Sequence, residues 1–309
     1  MIEVRCTVRG CGATIPAFAA SGRAAADGAR STALRGPCGH SFDIARSGYI
    51  NLLQPQDRRA REPGDTAEAV AARRRLFDAG VSGALLESAA AAIAVMGLSP
   101  GARTLDIGSG EGSLLGALTV RFALAAAGVD LSARAVELAA RRHPGVLWLV
   151  ANADRGLPFA DGSLDLVLSI TARRSPAECA RVLAPDGHLV IAIPAADDLA
   201  ELREAVLGNA SREDRTAKLV EEHAGHFRLL GRRESRERRS CSAAQLEDLL
   251  LATYRGGRAG RRERAGELAG LEVTLSHDIA VFEPVPVVAD SRHRTAPGGA
   301  AVDRVGNSC

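Results

Sequence analysis

The chain has 309 residues, 46% of them apolar and 25% charged, with a net charge of +2. That apolar fraction can build a large core, which excludes wholesale disorder, and so balanced a charge does not by itself mark a nucleic-acid binder. No apolar run reaches the roughly 18 residues of a membrane span, and the N-terminus lacks the basic-then-apolar layout of a signal peptide, so the chain reads as cytoplasmic with no membrane partner.

Nearly all the basic residues are arginine, Lys218 being the single lysine. A GC-rich genome accounts for that bias most simply. Residues 1–53 hold Cys6, Cys11 and Cys38 in a turn-rich setting. In a reducing compartment such a cluster points to a metal before a disulfide. With His40 the three thiols can close a Cys₃His tetrahedron, the donor set of a structural zinc site. Residues 54–99 are polar and Arg-rich, then helical through Ala67–Ala79.

From about residue 100 to 195 short apolar runs alternate with helical stretches, the pattern of a parallel α/β sheet, within a domain read as spanning 100–286. Strands are predicted at Thr104–Ile107, Leu124–Val129, Leu147–Ala151, Leu164–Ile170 and His188–Ile193, with helices after Gly112, Ser132, Pro176 and Asp197. Residues 208–270 are charged and helical in tendency, which reads as an insertion. Leu271–Phe282 reads as a strand pair or one long strand that completes the sheet. The tail 287–309 is small, polar and Pro/Gly-rich, a composition that predicts disorder.

The decisive segment is Thr104-Leu-Asp-Ile-Gly-Ser-Gly-Glu-Gly-Ser. A strand runs into a turn in which Gly108, Gly110 and Gly112 allow a ligand to sit against main-chain N–H groups. Asp106 precedes the turn, and Asp130 ends the next strand, where an acid can accept hydrogen bonds from both ribose hydroxyls of an adenosine. A dinucleotide would suit that much. Three details favour S-adenosylmethionine instead: the spacing Asp-x-Gly-x-Gly-x-Gly, the turn Ala151-Asn-Ala-Asp-Arg-Gly-Leu-Pro-Phe leading to Asp161-Gly-Ser-Leu-Asp-Leu-Val-Leu, and Arg181-Val-Leu-Ala-Pro-Asp-Gly-His-Leu-Val. Together they resemble the ordered motifs of class I methyltransferases. The resemblance implies that Asp106 orients the methionine ammonium, helped by backbone around Gly108, and that Asp130 holds the ribose. It further implies that Asn152 and Ala153 face the adenine edge, and that Ile170 and Thr171 border the transferred methyl.

The segments ahead of this domain narrow the acceptor. Cys38-Gly-His-Ser-Phe-Asp-Ile-Ala-Arg-Ser-Gly-Tyr-Ile-Asn-Leu-Leu, followed by Arg61-Glu-Pro-Gly-Asp-Thr-Ala-Glu-Ala-Val-Ala-Ala-Arg-Arg-Arg-Leu-Phe-Asp-Ala-Gly, resembles the start of the bacterial 23S rRNA (guanine-N1)-methyltransferases, which include macrolide-resistance relatives. The resemblance implies a zinc-ribbon-like module ahead of a class I Rossmann-like sheet, and methylation of guanine in a ribosomal RNA hairpin loop. Arg58, Arg59, Arg61, Arg73, Arg74 and Arg75 offer a basic stretch for phosphates beside Phe42 and Tyr49, with Phe42 read as core rather than as a stacking platform. Methylation at N1 also removes a weakly acidic proton, yet no residue stands out as the base.

The chain departs from the family pattern at several places. Cys-x2-Cys and Cys-x3-His become Cys6-x4-Cys11 and Cys38-x-His40, with Gly36 where a cysteine is usual. An Ala-Pro is Ala172-Arg173, a histidine is Asp198, and an aromatic stretch is Thr253-Tyr-Arg-Gly-Gly-Arg. A small-molecule methyltransferase and a cofactor-binding RNA protein without catalysis therefore stay open beside the ribosomal RNA reading, as does a homodimer.

Overall fold

The computed structural model describes residues 2–15, 33–54, 64–208, 213–253 and 264–285. Arg58, Arg59, Arg61, the stretch 254–258 and the tail 287–309 lie outside them.

The N-terminal part is two short hairpins. β1 (Val4–Arg5) pairs antiparallel with β2 (Thr14–Ile15), and β3 (Ala33–Arg35) with β4 (Ser41–Asp43). Then β5 (Ile50–Asn51) leaves the module and joins the main sheet, parallel to β8 (Leu147–Val150). This gives the Gly-Tyr-Ile-Asn-Leu-Leu motif a structural reason: Ile50 and Leu52 are fully buried, and Tyr49 packs against the core. Phe42 is buried, as expected, in an apolar cluster shared with Val4, Ile15 and the sheet residues Ile107 and Leu149. The module is thus fused to one face of the sheet.

Two helices, α1 (Ala67–Asp78) and α2 (Gly83–Ala94), precede the first long strand. Thr66 caps α1 by accepting from the Ala69 N–H. The βα alternation then delivers β6 (Arg103–Ile107), α3 (Ser113–Phe122), β7 (Ala125–Asp130), α4 (Ala133–Arg142), β8, β9 (Leu164–Ile170), α5 (Pro176–Val182) and β10 (Leu183–Pro194). Behind them come α6 (Ala200–Leu207), α7 (Thr216–His223), β11 (Phe227–Ser240), α8 (Ala243–Ala252) and β12 (Glu272–Pro284). The eight strands lie in the order β11-β12-β10-β9-β6-β7-β8-β5, with β12 antiparallel to both its neighbours and the rest parallel. Strand order reverses between β6 and β9, which opens a crevice at their C-terminal ends. No single helix among the described residues is long and apolar enough to cross a membrane.

The segment expected as a charged helical insertion differs from that reading. It holds α7 and α8, but between them runs β11, a 14-residue strand that forms the sheet edge. Charge density suggested a solvated helix, whereas three arginines of β11 pair with acids on the neighbouring β12. Arg238 meets Glu272 at 2.8 Å, Arg228 pairs with Glu283, and Arg232 approaches Asp278. Cross-strand charge pairs support an antiparallel ribbon, and outward arginines protect an edge from pairing with other chains. The late strand is the single long one.

Trp148, fully buried on β8, sits across Gly128 of β7, where a Cβ would overlap the indole. Gly128→Ala should therefore cost about 1–3 kcal/mol by overpacking. Gly145→Ala, with open space at its Cβ position, should cost far less. Denaturant unfolding of both variants measures the difference.

Candidate active site

The C-terminal ends of β6, β7, β8 and β9 bring the predicted cofactor residues to one rim. Asp106 lies opposite Gly128, one residue before β6 ends, and Asp130 closes β7 opposite Val150. Gly108, Gly110 and Gly112 form the turn from β6 into α3, and all three have positive φ. At Gly108 this is obligatory twice over, because a Cβ there would also lie 2.5 Å from the Ala172 methyl. Gly110 faces open space, and its N–H donates to Asp130 Oδ2 at 2.9 Å. Ser132 N–H donates to Asp130 Oδ1 at 2.8 Å, so the carboxylate is fixed in orientation while its remaining lone pairs stay available.

Asp106 is the unusual group. It is buried, and its Oδ1 has no hydrogen-bond partner among the described residues. Burial, reinforced by the charge of Asp130, pushes its carboxyl up to about 8. An orphaned, buried acid is costly to leave unmatched. The donor that would satisfy it is a cation entering the crevice, which fits the ammonium of S-adenosylmethionine.

The remaining predicted residues flank this centre. Asn152 and Ala153 follow β8, half-buried, with Asn152 Oδ1 accepting the Asp154 N–H at 3.1 Å. Ile170 ends β9, and Thr171 follows it with φ 55°, a left-handed conformation that β-branched residues rarely adopt.

Several residues of the site escaped the sequence reading. Gly64 packs directly on Ser132, and Ser132 Oγ donates to the Asp65 carbonyl, so the Gly-Asp before α1 lies beside the Asp130 turn. Glu111, buried within the glycine turn, accepts from Ser113 Oγ and lies 3.5 Å from Arg74. These contacts correct the role expected for α1. Arg73 pairs with Asp65, Arg74 with Asp78 at 2.6 Å, and Arg75 is bidentate to the buried Asp248 at 2.8 and 2.5 Å. Arg74 fastens α1 to the cofactor turn and Arg75 fastens it to α8, while Arg73 pairs with the segment just ahead of the helix, so all three are ion-paired. Asp198 is likewise committed, accepting the Ser276 N–H of β12.

The four predicted metal ligands converge. One ligand atom from each of Cys6, Cys11, Cys38 and His40 lies within 4.8 Å of the others, and Cys6 Sγ is 3.4 Å from His40 Nδ1. Cys6 and Cys11 sit on the turn between β1 and β2, and Cys38 and His40 on the turn between β3 and β4. Gly36 lies beside them, where a Cβ would be 3.0 Å from Cys38 Sγ, so the place of the usual cysteine is filled from two positions along. Burial pushes the Cys6 thiol up to about 12, whereas the His40 N–H holds Cys38 down at about 7. Three soft sulfurs and one imidazole suit zinc, whose bonds of about 2.0–2.3 Å would draw the donors together by roughly 1 Å.

Between this cluster and the Asn152 turn opens a cleft of about 790 Å³, lined in part by Arg5, Arg9, Arg155, Arg181, Gln54 and Asn152.

The family described as "Methyltransferase domain" matches residues 105–191, from the middle of β6 into β10. A 23S rRNA (guanine(748)-N(1))-methyltransferase of Streptomyces fradiae is 35% identical over 263 residues, covering 82% of this chain and 91% of the relative. The chain belongs to the 23S rRNA (guanine-N1)-methyltransferase family. A demethylmenaquinone methyltransferase of Tropheryma whipplei is 32% identical over 111 residues, covering 33% of this chain and 45% of that one. Among solved structures, the YcgJ protein of Bacillus subtilis is 17% identical with a TM-score of 0.45, covering 64% of this chain and 97% of that one. This member of the family is an S-adenosylmethionine-dependent methyltransferase, on a mostly parallel class I sheet with an N-terminal Cys/His module.

A carboxyl whose folded pKa is raised contributes stability at low pH that is lost as pH rises from the usual carboxylate range through about 8. In the cofactor-free methyltransferase, Asp106→Asn should remove that loss. The variant should unfold at a temperature equal to or above that of the parent at pH 9, while binding S-adenosylmethionine at least about tenfold more weakly. Thermal unfolding from pH 6 to 9, with calorimetry of cofactor binding, checks both.

Proposed function

We propose that the enzyme methylates N1 of a guanine in a ribosomal RNA hairpin. The observation that carries this reading is the extent of the match. The Streptomyces fradiae relative aligns with 82% of the chain, which takes in more than the cofactor domain, whereas the demethylmenaquinone enzyme aligns with only 33%. A shared cofactor domain alone says nothing of the acceptor.

In this reading the cofactor site works by alignment. S-adenosylmethionine supplies an electrophilic methyl on a sulfonium, so the chain needs to orient, desolvate and deprotonate the acceptor. Asp106 takes the ammonium and becomes ionised as it does so, and backbone of the Gly108–Gly112 turn borders the methionine carboxylate. Asp130, held by the Gly110 and Ser132 N–H groups, accepts from the ribose hydroxyls. Asn152 and Ala153 border the adenine. Ile170 and Thr171 would border the transferred methyl, whose bond to the sulfonium sulfur would break as its bond to guanine N1 forms, the N1 proton passing to water.

Cys6, Cys11, Cys38 and His40 hold a structural zinc that stiffens the two hairpins. The arginine-lined cleft beside them has room for an unstacked nucleotide and its phosphates. Cys11→Ser should purify without zinc, against about one zinc per chain in the parent by elemental analysis, yet keep most of its cofactor affinity. A parent protein that is metal-free and stable to chelator contradicts the zinc assignment.

Incubation with labelled cofactor and unmodified ribosomal RNA, followed by mapping, tests the acceptor. The expected result is one N1-methylated guanine in a hairpin loop. Asp130→Ala should weaken cofactor binding by about 1.5–3 kcal/mol, the worth of a charge-assisted pair of hydrogen bonds. Labelling of a small metabolite with none in RNA overturns the ribosomal reading.

A further inference from the structure

His223, at the C-terminal end of α7, is buried and takes no part in the steps above. Its ring stacks on Phe282 at 5.3 Å and lies 6.1 Å from Phe227. Its two nitrogens have separate partners. Nδ1 is 2.7 Å from the Leu219 carbonyl oxygen, and Nε2 is 3.3 Å from Arg174 Nε. A carbonyl only accepts and a guanidinium only donates, so these contacts define a neutral ring with its proton on Nδ1.

Arg174 is equally unusual. It is largely withdrawn from water, and none of the ion pairs among the described residues involves it; burial lowers its pKa accordingly. Among the described residues it reaches one other hydrogen-bond partner besides His223, donating from Nη1 to the Ala172 carbonyl at 2.9 Å, which also accepts from Ser169 Oγ at 3.3 Å. Ala172 is the residue whose methyl abuts Gly108, and it follows the left-handed Thr171. A left-handed threonine is strained and persists only where its surroundings hold it. The holding contacts are the Thr171 N–H to Ala192 bond at 2.8 Å and the bonds to the Ala172 carbonyl.

We propose that Arg174 and His223 are positioning residues: neutral His223 anchors Arg174, which clamps the Thr171–Ala172 turn against the cofactor loop at the place where the acceptor enters. The consequence for turnover rests on the proposed acceptor; the clamp itself does not. Neither residue touches substrate. Loss of the clamp lets the turn relax, and misplacement by about 1 Å can cost up to a hundredfold in rate.

Four full-length variants test this. His223→Leu removes the acceptor, and His223→Gln can present its Oε1 near the Nε2 position. Arg174→Met removes the donors, and Arg174→Lys keeps a charge and a donor. Amide hydrogen exchange read on the peptide spanning 169–175 should quicken at least about tenfold in His223→Leu and Arg174→Met, and stay close to the parent in His223→Gln. With ribosomal RNA as acceptor, kcat should fall at least about tenfold in the first two variants, while KM for RNA and affinity for cofactor stay within about twofold. His223→Gln should recover most of that loss. Unchanged exchange in both His223→Leu and Arg174→Met overturns the clamp. So does a joint decline of kcat, KM and unfolding temperature that His223→Gln does not relieve. A parent enzyme inactive on RNA defeats the acceptor assignment, and the exchange measurement still decides the clamp.

Discussion

A single buried carboxyl, with one oxygen lacking a hydrogen-bond partner among the described residues, organises the site. Asp106 is placed at the end of β6 by strand geometry, beside a second acid on β7, in a pocket from which water is largely excluded. The arrangement resists ionisation when empty, which is why the carboxyl is held near 8. It becomes favourable when a cation arrives. The glycine turn, the N–H groups on Asp130 and the close packing of Ala172 all follow from keeping that pocket narrow and oriented.

The N-terminal segments are built into the same constraint. β5 is the eighth strand of the sheet, the module's apolar residues share the core on one sheet face, and α1 is pinned to the glycine turn through Arg74 and to the Asp130 turn through Gly64 and Asp65. The hairpins are joined to the sheet through Ile50 and Leu52, which lie beside β8, whose end bears the Asn152 turn.

Much of this was legible in the sequence because the signals were local. The strand–turn–helix around Gly108 to Gly112, the acid closing β7 and the pairs Cys6/Cys11 and Cys38/His40 are each short-range patterns, and the structure gathers the two pairs into one cluster. What escaped was non-local. Arg74 and Arg75 read as part of a basic surface because their partners Glu111 and Asp248 lie 37 and 173 residues along the chain. β11 read as helix because its arginines hide the strand period, which only the acids of β12 explain. His223 gave no signal at all, since its meaning depends on Arg174, 49 residues away.

The most direct test of the cofactor site is calorimetry of S-adenosylmethionine binding near pH 7 in buffers of different ionisation enthalpy. A neutral Asp106 that ionises on meeting the ammonium predicts release of close to one proton per cofactor bound, fading as pH rises through about 8 and nearly absent by about 9. The Asp106→Asn variant should show no release. Binding of the parent with no dependence on buffer at pH 7 would contradict the assignment, because Asp106 would then be either already charged or not in contact with the cofactor.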